Sequence, residues 1–422
     1  MNYNKNLVKI LIFGGLILMI FSNCDLWEEP GKIFEPEEEY SYGESPIINS
    51  IEPGDSAGAG INEIEIRGEN FAPASDTSVV NLVYFDEMNV NVKSATSNEI
   101  VVYRPNIVSN SLTIKVATQN LHGVAKLSPY GITEVEIPLG QRNPDGEMIG
   151  EFYQKRQTFN AITTDEDGNL YIATHLILIK RTPDQSKTEV EIDRDFDDLT
   201  QMIFGPDGLI YGTIDDDVIF TIDPITGEED EWAEIEDDAV SLDFDANGNL
   251  FAGGDGLYMV DTASNSHICS EYNDDYEISS LRVFDGYLYL ALETPDGEKG
   301  IYRNKINEDG TLKATELYFN WTESAYSDYT ITSITFDING ILYVGLKDHP
   351  SEPFILINSD GSAYPMYNNK DILSPIADHI VWGDGEYVFI NKGKTIRVSG
   401  AAPPRIFKIK IGKSGAPYYG FQ

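Results

Sequence analysis

A sequence repeat in the C-terminal part of the chain constrains the fold more than any other feature. Between residues 150 and 422, a turn that contains glycine is followed by an apolar or aromatic run, and this unit occurs six times. The turn glycines stand at positions 168, 208, 248, 286, 340 and 385, so successive copies are 40, 40, 38, 54 and 45 residues apart. A period near 40 residues with one tight hairpin per copy is typical of β-propellers, in which each blade has four strands. The copies therefore predict a six-bladed β-propeller at residues 145–422.

The turns themselves carry acidic residues that resemble part of a calcium loop. In the first copy, residues 165–169 read Asp-Glu-Asp-Gly-Asn. A calcium-binding EF-hand loop needs oxygen ligands that continue to an acid at its twelfth position, whereas this pattern recurs at the equivalent hairpin of several copies. Turn formation explains it better, because Asp, Asn and Gly are the residues that tight hairpins require. We therefore predict no metal site and no cofactor.

Residues 46–136, which precede the repeats, also have the pattern of β-strands. Residues 64–68 and 112–116 alternate apolar and polar side chains, and turn residues interrupt the segment at short intervals. About seven short strands in roughly 90 residues predict a small Ig-like β-sandwich. The segment resembles an IPT/TIG domain in the order and spacing of its pieces, at residues 46–53, 58–60, 64–71, 79–85 and 98–105.

The chain is thus predicted to be all-β, with an Ig-like (IPT/TIG) β-sandwich followed by the six-bladed propeller. The propeller repeats resemble NHL-type repeats. Between the two domains, residues 141–146 have the composition of a linker. Propellers often close when a strand from the other terminus completes a blade, and we expect residues 148–153 (MIGEFY) to do so.

The N-terminus has the layout of a secretory signal peptide that ends at a cysteine. Lys5 and Lys9 precede an apolar run at residues 10–21, which is too short for a membrane-spanning helix of about 20 residues. Cys24 follows, and the segment resembles a bacterial lipoprotein signal, although Asn23 departs from the small residue usual before the cysteine. The resemblance implies that residues 1–23 are removed and that Cys24 is acylated. An ordinary signal peptide that contains a cysteine is the alternative.

Residues 24–45 are rich in glutamate and proline, which predicts a solvated acidic tether. Acidic residues directly after a lipidated cysteine resemble the surface-export signal of Bacteroidetes lipoproteins, and this implies a lipid-anchored outer-membrane protein that faces the cell exterior. A plain spacer is the alternative. The net charge of −41 excludes nucleic acid as a partner, because a nucleic-acid-binding surface must neutralise phosphates. The same charge disfavours direct docking on anionic lipid or on a polyanionic glycan.

The longest repeat carries the candidate binding site. The fourth blade is extended by a connection that includes residues 319–329 (FNWTESAYSDY), and we expect this connection to lie on the same face as the loops between the second and third strands of each blade. Trp321, Tyr326 and Tyr329 are unusually apolar for a loop, and flat aromatic rings of this kind stack on the apolar faces of sugars. The alternative is that the three rings pack beneath the loop as a small core.

Three polar residues are further candidates on that face. Asp215 and Asp217 follow the second strand of the second blade, and His349 lies in the corresponding loop of the fifth. These side chains could hydrogen-bond to sugar hydroxyls or hold a cation, while a solvated acidic turn is the alternative for the aspartates. The histidines of the chain lack metal-ligand spacing, and no Gly-x-Ser-x-Gly motif occurs. We therefore predict a binding protein and not an enzyme.

As a whole, the chain resembles the lipoproteins of Bacteroidetes that combine TIG and NHL segments and are thought to accompany glycan-import porins. The resemblance implies a cell-surface lipoprotein that binds a glycan, most simply a neutral one, beside an outer-membrane import porin complex. Two alternatives remain. One is a propeller enzyme of the lyase or lactonase type, whose calcium site of Glu, Asn and Asp has no local motif. The other is a protein–protein interaction scaffold.

Overall fold

The computed structural model describes residues 44–57, 61, 63–75, 80–105, 109–118, 125–132, 135–139, 159–183, 186–193, 199–214, 217–347, 354–366, 379–383, 385–391 and 406–421. The predicted signal peptide with Cys24 and most of the acidic tether lie outside these residues, as do the expected linker and the expected strand at 148–153. The described residues form 33 β-strands and one short 3-10 helix at Tyr419–Phe421, which confirms the all-β prediction. No helix in this part of the chain is long and apolar enough to cross a membrane.

The N-terminal strands form a sandwich of two sheets. One sheet has the order β1-β3-β7-β6, with β1 (Ile47–Glu52), β3 (Glu63–Glu69), β6 (Val92–Ala95) and β7 (Glu99–Tyr103). The other has the order β2-β9-β8-β4-β5, with β2 (Ser56–Ala57), β4 (Asn81–Phe85), β5 (Met88–Val90), β8 (Ser109–Thr118) and β9 (Ala125–Ile132). The predicted alternation places every second side chain between the sheets, and Ile64, Ile66, Val83, Phe85 and Ile114 are fully buried there.

The remaining strands form six antiparallel sheets of four strands, which confirms the predicted number of blades. Blade 1 contains β11 (Ala161–Thr164), β12 (Leu170–Thr174), β13 (Ile177–Arg181) and β14 (Lys187–Glu191). Blade 2 contains β15 (Leu199–Phe204), β16 (Ile210–Ile214), β17 (Val218–Ile222) and β18 (Glu229–Glu234). Blade 3 contains β19 (Ala239–Phe244), β20 (Leu250–Gly254), β21 (Gly256–Val260) and β22 (Ser266–Ile268).

Blade 4 contains β23 (Glu277–Phe284), β24 (Tyr287–Glu293), β25 (Lys299–Lys305) and β26 (Glu316–Asn320). Blade 5 contains β27 (Thr330–Phe336), β28 (Leu342–Lys347), β29 (Phe354–Ile357) and β30 (Ala363–Pro365). Blade 6 contains β31 (His379–Trp382), β32 (Tyr387–Asn391), β33 (Ile406–Lys410) and, as its outermost strand, β10 (Val135–Leu139). The first strands of successive blades lie against one another, and β31 lies against β11, so the ring is closed.

The closing strand of the propeller is not the one predicted. β10 pairs with β33 through Val135 and Ile409 and through Leu139 and Ile406, so residues 135–139 complete blade 6. Only two residues separate β10 from the last strand of the sandwich, which ends at Ile132. The predicted domain boundaries at 136 and 145 therefore leave part of blade 6 outside the propeller. The sequence analysis could not place this strand, because β10 pairs with a segment far away in the sequence and carries no local pattern that shows it.

The predicted turns between the first and second strands are present. In blade 4, Asp285 and Gly286 form a two-residue hairpin with φ values of 49° and 75°, which the right-handed twist of the flanking strands favours. In blade 1, the carboxylate of Asp165 accepts hydrogen bonds from the backbone N–H and the side-chain amide of Asn169, at 2.9 and 2.7 Å. The acidic pattern therefore stabilises the turn itself, as the turn interpretation predicts.

The propeller core lies between blades. Six clusters of buried apolar side chains each join one blade to the next, including the cluster between blades 6 and 1 that contains Ile162, Ile172, Phe389 and Ile406. Burial of these side chains is the main stabilising contribution to the ring. Because each blade is packed on both faces, the loops and the axial channel are the parts available to bind a ligand.

Candidate functional site

One face of the propeller carries the candidate residues. This face, here called the connection face, is formed by the turns between the second and third strands and by the connections between blades, including residues 235–238, 255, 294–298 and 321–329. As predicted, the long segment after β26 belongs to it. The turns between the first and second strands lie at the opposite end of the blades because adjacent strands are antiparallel.

A cleft of about 260 Å³ lies on the connection face at blade 4, between blades 3 and 5. Its buried apolar residues come from β23, β24, β27 and the long connection, and they are Ile278, Leu292, Trp321 and Ile331. Its polar residues come from strand ends of blades 3, 4 and 5, and they are Asp255, Glu277, Ser279, Glu293, Lys299 and Thr330. The cleft therefore combines an apolar floor with a polar and mainly acidic rim.

The charged residues of the rim are held by the ends of neighbouring strands. Asp255 forms an isolated β-bridge with Glu277, which begins β23. Lys299 pairs with Glu293 across β24 and β25, and its ammonium nitrogen lies 3.5 Å from the Glu293 carboxylate. Since both side chains of this ion pair are partly exposed, its contribution to stability is small. Asp255 and Glu277 are exposed, and Glu293 and Lys299 are partly exposed, so these polar groups can hydrogen-bond with a ligand.

Trp321 does not present its ring to a ligand, which corrects its predicted role. Its side chain is fully buried in the cluster between blades 4 and 5. Its indole N–H donates a hydrogen bond of 3.0 Å to the backbone carbonyl of Tyr329, and its ring packs against those of Phe319 and Tyr326, at 6.0 and 5.9 Å between centroids. The alternative interpretation, in which the ring forms a core beneath the loop, is confirmed for Trp321.

The two tyrosines of the loop differ in their position relative to the cleft. Both are partly buried against the same cluster as Trp321. Tyr329 lines the cleft, and its backbone N–H bonds to the carbonyl of Tyr326 at 3.0 Å. Tyr326 is not among the described residues that line the cleft. The structure therefore keeps Tyr329 as a candidate for direct contact with a ligand.

Of the three predicted polar residues, only Asp217 is described, and it is not brought to the cleft. Asp217 is exposed on blade 2, where its backbone carbonyl accepts a hydrogen bond from Ile235 at 2.7 Å, and it does not line the cleft. Asp215 and His349 lie outside the described residues. The sequence analysis missed the rim carboxylates, because a single acidic residue at the end of a strand forms no recognisable motif. Their shared position at the strand ends of neighbouring blades could nevertheless have been found by aligning the repeats.

A second cavity, of about 290 Å³, follows the propeller axis. It is lined by the first strands of the blades and by residues 411–421, here called the C-terminal tail. Asp243 and Arg282 form a buried ion pair there, with 2.6 Å between the carboxylate and the guanidinium. Burial raises the pKa of Asp243, while Arg282 and the backbone N–H groups of Val283 and Phe244 act in the opposite direction and favour the carboxylate.

A ring of side-chain hydrogen bonds surrounds this channel. Four polar side chains on the first strands of blades 2 to 5 each accept a hydrogen bond from a backbone N–H on the first strand of the next blade. The accepting residues are Gln201, Ser241, Ser280 and Ser333. Each directly follows a register irregularity in its strand, and such irregularities re-aim side chains. The four side chains therefore provide hydrogen-bond acceptors for backbone N–H groups at the inner edges of the blades.

Comparison with known proteins identifies one domain. The model of the IPT/TIG domain family matches residues 46–132. No curated protein matches the chain. Similar solved structures include a luciferin-regenerating enzyme, with 12% identity, a TM-score of 0.49 and coverage of 62% of this chain and 94% of that chain.

Two further solved structures are similar to this chain. An auxiliary nutrient binding protein from Bacteroides thetaiotaomicron VPI-5482 has 11% identity, a TM-score of 0.48 and coverage of 89% of this chain and 98% of that chain. A streptogramin B lyase has 13% identity, a TM-score of 0.41 and coverage of 61% and 96%. Similarity at this distance does not indicate an activity. The N-terminal sandwich is an IPT/TIG domain, as its sequence pattern predicts.

Proposed function

We propose that this protein is a cell-surface lipoprotein that binds a neutral oligosaccharide or polysaccharide in the cleft at blade 4, without catalysis, as part of a glycan-import system. The observation that carries the proposal is the composition of the cleft, in which buried apolar side chains lie beside Tyr329 and three carboxylates. A sugar ring has an apolar face of C–H groups and an edge of hydroxyls, so it complements such a surface.

The individual groups have distinct roles in this proposal. The partly buried ring of Tyr329 contacts the apolar face of a sugar. The carboxylates of Asp255, Glu277 and Glu293 accept hydrogen bonds from hydroxyls, and Lys299 donates one. Hydrogen bonds to ionised acceptors are stronger than those between neutral groups. Because acids outnumber the single lysine, the rim disfavours anionic glycans.

The cellular role rests on the sequence at the N-terminus. The apolar run that ends at Cys24 and the acidic segment after it support a lipid anchor and an exposed tether. Replacing Cys24 with alanine should release the protein from membranes on cell fractionation. A variant that still sediments with membranes would contradict the anchor, and protease treatment of intact cells tests surface exposure separately.

The binding proposal is tested with a glycan array and then by calorimetry. Once a ligand is found, Glu277→Gln and Glu293→Gln should each weaken binding by about tenfold, because the carboxamide keeps one acceptor oxygen but loses the charge that strengthens the hydrogen bond. Glu234→Gln is the matched control, since Glu234 is exposed on β18 of blade 2, away from the cleft. Equal affinities for all three variants would contradict a site in this cleft.

The same ligand separates binding from catalysis. If the protein only binds the glycan, prolonged incubation should leave the oligosaccharide unchanged when it is analysed by chromatography. Release of shorter or unsaturated products that depends on the protein would support the lyase or hydrolase alternative instead. Binding of membrane proteins without any glycan on the array would favour a scaffold.

A further inference from the structure

The axial channel contains polar groups that its own walls do not satisfy. His379 begins β31 and is 9% exposed, and its Nδ1 atom is buried without a hydrogen-bond partner among the described residues. Trp382 ends the same strand, and its indole N–H is likewise buried without a partner in the described part of the chain. Both residues line the channel. An unsatisfied buried donor or acceptor costs about 1–3 kcal/mol, so a polar molecule that reached these two atoms from the channel would stabilise its wall.

The ring around the channel supplies further donors. The hydroxyls of Ser280 and Ser333 accept the N–H groups of Ile334 and Ile380, at 3.0 and 3.3 Å, so the hydroxyl hydrogen of each serine is directed to another acceptor. Gln201 accepts from a backbone N–H through its carbonyl oxygen, and its amide nitrogen is a donor. These residues line the cavity together with His379. The walls therefore offer several donors and, at His379, an acceptor.

The charges in the walls cancel. Asp243 and Arg282 are the only carboxylate and guanidinium among the described residues that line the channel, and they pair with each other. Burial lowers the pKa of His379 to about 4, so its imidazole is neutral at neutral pH. A charged ligand would lose its hydration without gaining a counter-charge, which is costly. The channel therefore suits an uncharged polar molecule.

We propose that the axial channel is a second binding site, which takes one small uncharged polyol of about the size of a monosaccharide. A hydroxyl of the polyol donates to His379, while Trp382, Ser280 and Gln201 donate to its oxygens. The volume of about 290 Å³ is just below the range of roughly 300–1,000 Å³ for drug-sized ligand pockets, as expected for a smaller ligand. This site does not rest on glycan binding in the cleft, because it is built from the inner faces of the first strands.

The test follows the indole of Trp382 by nuclear magnetic resonance. The chain has four tryptophans, and Trp382→Phe assigns the indole N–H signal by its loss. The probes are glucose, galactose, mannose, xylose and glycerol, each titrated against the full-length protein. We expect at least one of them to shift the Trp382 signal saturably and to leave the signal of Trp232, on the outer strand of blade 2, unchanged. A Trp382 signal that none of the five moves would overturn the proposal and leave a channel filled by water.

Substitution of His379 provides the second measurement. His379→Leu removes the acceptor, so it should weaken binding of the same polyol at least about tenfold, while the melting temperature is unchanged or raised because an unsatisfied polar atom has gone. His267→Leu is the control, since the His267 side chain is 56% exposed on β22. Unchanged affinity in folded His379→Leu would contradict the site. Glu277→Gln, in the cleft, should leave this affinity unchanged, so failure of one site is distinguishable from failure of the other.

Discussion

The guanidinium of Arg282 lies 2.6 Å from the carboxylate of Asp243, and the same guanidinium donates a 3.2 Å hydrogen bond to the backbone carbonyl of Pro417. Arg282 also lies over the ring of Tyr418, whose hydroxyl donates to the carbonyl of Phe204 at 2.6 Å. One ion pair between blades 3 and 4 thus holds the C-terminal tail against the end of the axial channel.

Breaking this pair should destabilise the protein and release the tail. Arg282→Leu leaves a buried carboxylate without its partner, which typically costs about 3–5 kcal/mol. The double variant Asp243→Leu with Arg282→Leu should cost less, because no uncompensated charge remains. Chemical denaturation measures both. Trypsin cleavage after Lys413, followed by mass spectrometry, should be faster in the single variant, and a cleavage rate equal to wild type would contradict the role of Arg282 in holding the tail.

The ring around the channel should contribute to stability through single hydrogen bonds. Ser280→Ala leaves the buried N–H of Ile334 without its acceptor, so the free energy of unfolding should fall by about 1–3 kcal/mol. Ser279→Ala is a matched neighbour, because the hydroxyl of partly buried Ser279 bonds within its own blade to the carbonyl of Ala291. We expect a smaller loss there. If the two variants melt at the same temperature, the hydrogen bond between blades contributes no more to stability than the one within a blade.

Trp321 should behave as a core residue. Trp321→Ala empties a fully buried position between blades 4 and 5, so it should cost about 3–5 kcal/mol. Trp232→Ala is the control, since Trp232 is only partly buried and its ring meets Tyr211 edge-on at 5.0 Å. Thermal melts compare the two. If Trp321→Ala lost glycan affinity while its melting temperature stayed unchanged, the ring would instead have to contact the ligand.

The number of blades could be predicted from the sequence, whereas the packing of the long connection could not. Turn residues such as Asp285 and Gly286 act locally, because their positive φ angles are needed wherever a tight hairpin forms. The direction in which the ring of Trp321 points depends on β27 and β28, which the loop sequence does not encode. For the same reason the rim of the cleft, assembled from Asp255 on blade 3 and Glu277 on blade 4, has no motif.

The closure of the propeller by β10 predicts where the chain can be divided. A chain that begins at residue 133 retains β10, whereas one that begins at residue 145 lacks it and leaves β33 as an unpaired edge of blade 6. Exposed edges lose their ladder hydrogen bonds and promote aggregation. We expect the shorter chain to melt at a clearly lower temperature or to aggregate. Identical melting curves would show that residues 135–139 are dispensable.

The buried imidazole of His379 should make stability depend on pH in a defined range. Its pKa is lowered from 6.5 to about 4 by burial in the folded protein, so between these values the unfolded chain binds a proton that the native state does not. His379 therefore has no effect on the pH dependence of stability above pH 6.5, and its contribution lowers stability as the pH drops towards 4. By linkage the loss is on the order of 3 kcal/mol.

The comparison with His379→Leu isolates this contribution from that of the acidic residues. Asp243, Arg282 and Tyr418, the other titratable side chains among the described residues that line the channel, are common to both proteins. The difference in the free energy of unfolding between the two proteins therefore reports on His379. We expect the free energy of unfolding of the variant to rise steadily relative to that of wild type as the pH falls from 6.5 to 4. Parallel curves for wild type and His379→Leu would mean that the native imidazole accepts its proton as readily as the unfolded one.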